Sequence, residues 1–125
     1  MRELKFRVFA HERDDEGCVG FLEGDGFLNF YYDGGWRSLS YFIKFPAFTV
    51  QQFTSLKDKN GKEIYEGDIV KGLFFDTDVM TDLVTICPVV WLEDRACFNI
   101  GHRYWTKSAT TIIGNIFENL KLLKQ

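Results

Sequence analysis

The sequence predicts a mainly β chain: an N-terminal antiparallel β-meander over residues 1–54, then a small SH3-like β-barrel over residues 55–125, forming one compact unit with at most short helical turns. Two observations predict it. Glycine-bearing turns recur at Gly24-Asp25-Gly26, Asp33-Gly34-Gly35, Asn60-Gly61 and Glu66-Gly67-Asp68. Between them lie short apolar runs rich in aromatic and β-branched residues, the composition of strands.

In the first region, Leu4, Phe6 and Val8 alternate with Lys5, Arg7 and Phe9, the period-two pattern of a half-buried strand. The charge run from His11 to Gly17 reads as a solvated loop. The meander follows as Cys18 to Leu22, Phe27 to Tyr32 and Trp36 to Ile43, all expected as strands. Its middle strand carries apolar side chains on both sides, so a second layer or a neighbouring subunit is expected to cover it. Phe27, Tyr31 and Trp36 are the side chains expected at such a contact. Phe45-Pro46 then breaks the ladder, because proline donates no hydrogen bond.

A strand from Phe48 to Thr54 leads into the segment that sets the register of the rest. Asn60-Gly61 has the composition of a type I′ turn, with positive φ expected at both positions. Gly67 allows a second sharp turn, Asp68 accepts backbone hydrogen bonds there, and Ile69-Val70 begins a core strand. Asp76-Thr77-Asp78 interrupts that strand after Phe75. Val84 to Leu92 and Cys97 to Tyr104 are expected to form a hairpin around Glu93 to Ala96, with an edge or bulge at Pro88. Thr110 to Phe117 is the last expected strand, bent at Gly114, and Leu120 to Leu123 a single helical turn.

Composition bounds the function. A net charge of -3 disfavours a protein devoted to unspecific attachment to phosphate backbones. Met1 to Arg7 alternates charged and apolar residues, unlike a signal peptide, and no apolar run approaches the length of a membrane span, so a cytoplasmic protein is expected. Cys18, Cys87 and Cys97 lack Cys-x-x-Cys spacing and read as reduced thiols. Aromatic residues reach 17%, more than a small core readily buries, so some are expected to cover an interface.

Motifs for catalysis are missing from the sequence: it has no Gly-x-Ser-x-Gly, no phosphate-binding loop and no dinucleotide fingerprint. A calcium loop counted from Asp58 would place Glu63 where glycine is required and Ile69 where glutamate is required. Asp76, Asp78 and Asp82 read as a solvated acidic loop rather than a magnesium site, and neither His11 nor His102 has a cysteine at zinc-finger spacing. No cofactor is expected. His102 to Lys107 alone mixes positive charge with aromatics, making Arg103, Trp105 and Lys107 candidates for contact with nucleic acid or a host protein, beside the plainer reading of a barrel loop with Trp105 tucked under it.

Met1 to Arg7, Leu56 to Val70 and Ile113 to Asn119 together resemble the three signature segments of the YopX-like family of bacteriophage and prophage proteins. Ser55 stands where that family usually has glycine, and Leu120 where proline usually follows Glu118-Asn119. The resemblance implies a small, mostly β phage or prophage protein with no established enzymatic role, no catalytic residues to carry over, and plausible homo-oligomers. The expectation is therefore a non-enzymatic accessory protein acting by binding or self-assembly, with self-association or a phage or host protein as partner. A nucleic-acid-binding barrel is the alternative.

Overall fold

The structure, a computed structural model, describes residues 4–11, 20–25 and 28–123. Among these residues it is mainly β, with eleven strands, one α-helix and two 3₁₀ turns. Contacts divide the chain into two compact units, Met1–Phe53 and Thr54–Gln125.

In the first unit, β1 (Phe6–Ala10) pairs antiparallel with β2 (Gly20–Phe21), setting Phe9 opposite Phe21. A hairpin of β3 (Asn29–Tyr32) and β4 (Gly35–Ser38) follows. Its turn residues Asp33 and Gly34 have φ of 50° and 79°, the pair of left-handed conformations that a type I′ turn requires. The chain then enters α1 (Leu39–Ile43), which corrects the expectation that Trp36 to Ile43 is one strand. A strand would align Leu39, Tyr41 and Ile43 on one face. The helical turn instead turns Phe42 into the core and leaves Ile43 66% exposed.

Phe42 is the centre of this unit. Its ring meets Phe30 at 5.9 Å and Phe48 at 5.0 Å, both edge to face, the arrangement aromatic quadrupoles favour. Val8, Ala10, Leu22 and Phe30 complete the buried cluster, with Phe6, Tyr32 and Val50 packed on it. β5 (Phe48–Lys57) runs antiparallel to β1 from Ala10 opposite Phe48 to Phe6 opposite Gln52. The alternation read in β1 thus holds for Phe6, Val8 and Ala10. Leu4 lies before the strand and is exposed.

The second unit begins with the last residues of β5. The turn to β6 (Glu63–Tyr65) differs from the type I′ expectation, because only Gly61 is left-handed, at φ 82°. The Gly61 N–H donates to the Asp58 carbonyl and the Asp58 N–H to the Lys62 carbonyl, so a three-residue loop ends in a left-handed glycine. The Asp58 side chain captures the N–H groups of Asn60 and Lys62, each at 2.9 Å, and makes the second left-handed residue unnecessary.

Gly67, at φ 87°, turns the chain into β7 (Asp68–Asp76), while the Asp68 carboxylate accepts the Tyr65 N–H at 2.8 Å. β7 is the middle strand of an antiparallel sheet, between β8 (Thr81–Pro88) and the later β11. β8 ends at Pro88, and the hairpin expected from Val84 to Tyr104 shrinks to β9 (Trp91–Leu92) and β10 (Cys97–Phe98), closed by Glu93 to Ala96. Proline supplies no N–H to continue the ladder. A 3₁₀ turn over Asn99–Gly101 leads to β11 (Trp105–Asn115), which starts five residues before the expected last strand and ends two residues before that strand's end. Register shifts between Thr106 and Thr111 and between Ile112 and Gly114 curl this strand, as bulges do. A 3₁₀ turn spans Leu120–Leu123.

Inside the curl, Ile64, Val70, Val89, Phe98, Ile100 and Trp105 form the buried core. No helix among the described residues is long and apolar enough to cross a membrane.

Candidate binding cleft

A cleft of about 570 Å³ opens in the second unit. It lies over the face of β7 and β8 that carries Phe74, Thr85 and Cys87, since residues paired across a ladder point the same way. Trp105, opposite Phe74 in register, lies on this face too and lines the cleft. Asp76 ends β7, Thr77 and Asp78 come from the β7–β8 turn, Leu92 and Arg95 from the β9–β10 hairpin, and Asn99, His102 and Tyr104 from the segment before β11.

Its walls are largely rings. Tyr104 meets Phe74 at 6.2 Å, nearly perpendicular, and His102 at 5.3 Å. His102 meets Phe74 at 6.1 Å. His102 Nδ1 accepts the Tyr104 N–H at 3.3 Å. The Arg103 guanidinium stacks on the Tyr104 ring, 4.8 Å from its centroid, and donates to the Tyr104 hydroxyl at 3.0 Å.

Fixed polar groups are few. Asn99 ties the rim together: its Nδ2 donates to the Pro88 carbonyl at 2.8 Å, and its Oδ1 accepts the N–H groups of Val90 and Ile100. Burial pushes the Cys87 thiol up, so the group stays protonated at neutral pH, and the Asn99 amide stands 3.7 Å from its sulfur. Cys97 stands opposite Leu92, and the thiols of Cys87 and Cys97 are free. Among the described residues no three His, Cys, Asp or Glu side chains come together as metal ligands.

The residues singled out in the sequence fall in several places. Asn60, Gly61, Gly67 and Asp68 occupy the two turns of the second unit. Tyr31 and Trp36 pair across β3 and β4, their rings 5.9 Å apart, on the side away from Phe30, with Trp36 55% exposed. Phe27 lies outside the described residues. Arg103 and Lys107 are exposed. Trp105 is 6% exposed and its indole N–H donates to Thr110 Oγ1 at 2.7 Å, so it is a core residue and offers no free ring face at the surface. Sequence reasoning missed Phe74, Arg95 and Asn99 as partners of His102 and Tyr104. Only the mixture of charge and rings from His102 to Lys107 signalled this neighbourhood.

These features define a mainly β protein of small antiparallel sheets with one ring-walled cleft described in its second unit. The chain belongs to the YopX protein family, whose family model matches residues 28–124. No curated protein matches it. The crystal structure of protein EF1440 from Enterococcus faecalis is similar over 98% of this chain and 99% of that one, at 20% identity and a TM-score of 0.58, a likeness of fold.

Proposed function

We propose that this chain is a non-enzymatic accessory protein of a phage or prophage, acting in the host cytoplasm by self-association through its N-terminal meander. Its second unit serves as an SH3-like barrel. The observation that carries the reading is the Tyr31–Trp36 pair, which holds a large indole in the open on a paired ladder. Leu28, Ile43 and Phe45 of the same unit are also exposed. Apolar and aromatic side chains displayed in this way are typical of interfaces. Light scattering across a concentration series tests it: the mass should rise above that of one chain, and a constant single-chain mass at every concentration overturns it.

A second reading, a nucleic-acid-binding barrel, is favoured by the Arg103–Tyr104 stack beside the cleft and by exposed Lys71 and Lys107. It requires binding to single-stranded DNA or RNA that weakens steeply with salt. Undetectable binding at low salt removes it.

A further inference from the structure

We infer that the cleft of the second unit receives an arginine or lysine side chain from a basic segment of a partner protein. Its volume, about 570 Å³, falls in the range of clefts that bury small ligands, which is ample for one long side chain and its flanking backbone. The floor and walls contribute Phe74 and Tyr104, whose π faces attract a cation, with the His102 ring beside them.

The charge of the rim selects the sign of the guest. Asp76 and Asp78 line the cleft from one hairpin. On the other hairpin, Glu93 and Asp94 are exposed immediately before Arg95, the one lysine or arginine among the lining residues. Against these four carboxylates stand Arg95 and the exposed Arg103 on Tyr104, so the rim is acidic on balance, which draws in a basic segment and disfavours a phosphate backbone. Arg103 already stacks on Tyr104 and bonds the hydroxyl of that ring, so Phe74 is the ring assigned to the guest cation.

Tetra-arginine amide is the probe, titrated into the full chain by calorimetry, with tetra-glutamate and a short oligothymidylate as comparisons. The Asp76→Asn/Asp78→Asn double variant removes two charges from the rim and keeps an oxygen for the bond that Asp76 Oδ1 accepts from the Asp78 N–H. Glu66→Gln/Glu118→Gln removes two charges outside the cleft lining, near the Asp68 end of β7. Tetra-arginine should bind saturably, and the rim variant should weaken it roughly tenfold, equivalent to about 1.4 kcal/mol. The distant variant should change it by less than about threefold. Equal weakening by both variants, no saturable binding, or tighter binding of oligothymidylate than of tetra-arginine would each overturn the proposal. Unchanged melting temperatures of both variants show that the comparison is made on folded protein.

Discussion

The carboxylate of Asp58 accepts the backbone N–H of Ile112 at 3.2 Å, joining residues 54 positions apart. Lys59 N–H adds a bond to the Thr110 carbonyl at 2.8 Å, so the β5–β6 turn is tied to β11 on consecutive residues. One side chain thus shapes its own turn through Asn60 and Lys62 and closes the second unit against its last strand.

Replacing Asp58 therefore costs more than a turn residue ordinarily would. Asp58→Ala strands three backbone donors and should destabilise the chain by about 2–4 kcal/mol in urea unfolding. Asp58→Asn retains one carbonyl oxygen and should lose roughly half as much. Equal stability of Asp58→Ala and the parent would contradict this role.

The same carboxylate sets an acid limit on stability. Burial alone would raise its pKa, but the N–H groups of Lys62, Ile112 and Asn60, aided by the Lys62 ammonium, outweigh burial and hold it below the usual carboxylate value. A carboxyl with a lowered folded-state pKa contributes stability above its unfolded value, about 3.9, and loses it as pH falls through the lowered folded value. The stability gap between the parent and Asp58→Asn should be full at pH 7 and shrink below about pH 4. A gap constant down to pH 2 would contradict the assignment.

Ser55 carries φ of 70° inside β5, a left-handed conformation that costs a residue with a Cβ about 1–2 kcal/mol. Glycine, usual at this position in the resembled family, adopts it without that cost. Ser55→Gly should raise stability by up to about 1 kcal/mol after the greater freedom of glycine in the unfolded chain is subtracted. Ser55→Val should lower stability, and thermal melts of the two variants give the comparison.

How much of this was legible beforehand differs from element to element. The alternation of Phe6 and Val8 and the turn at Gly67-Asp68 depend on local spacing, and the structure follows both. Asn60-Gly61 announced a turn correctly but not its type, because the outcome depends on where the Asp58 carboxylate points. The type I′ geometry appears instead at Asp33-Gly34. α1 was hidden because Leu39 to Ile43 fits strand and helix patterns alike, and burial of Phe42 among Phe30, Tyr32 and Phe48 decides between them. The cleft was hidden more deeply, since Phe74, Arg95 and Tyr104 meet only through long-range pairing of β7 and β11 and the small β9–β10 hairpin.

Gly72 lies between the Lys71–Thr111 and Leu73–Thr106 pairs, where the register of β11 shifts. A Cβ there would stand 2.6 Å from Trp105 Cζ2, so the indole lies directly over the glycine backbone. Gly72→Ala should push the ring off its Thr110 bond, cost about 1–3 kcal/mol, and change the tryptophan emission. Wild-type stability and emission in this variant would show that the ring relaxes without loss.

Sedimentation velocity of the parent and of Trp36→Glu, run side by side over the same concentrations, tests the proposed association most directly. The account predicts a concentration-dependent oligomer for the parent and a single-chain species for the variant, with matching circular dichroism. Two identical profiles, whether both single-chain or both assembled, would contradict self-association through Trp36.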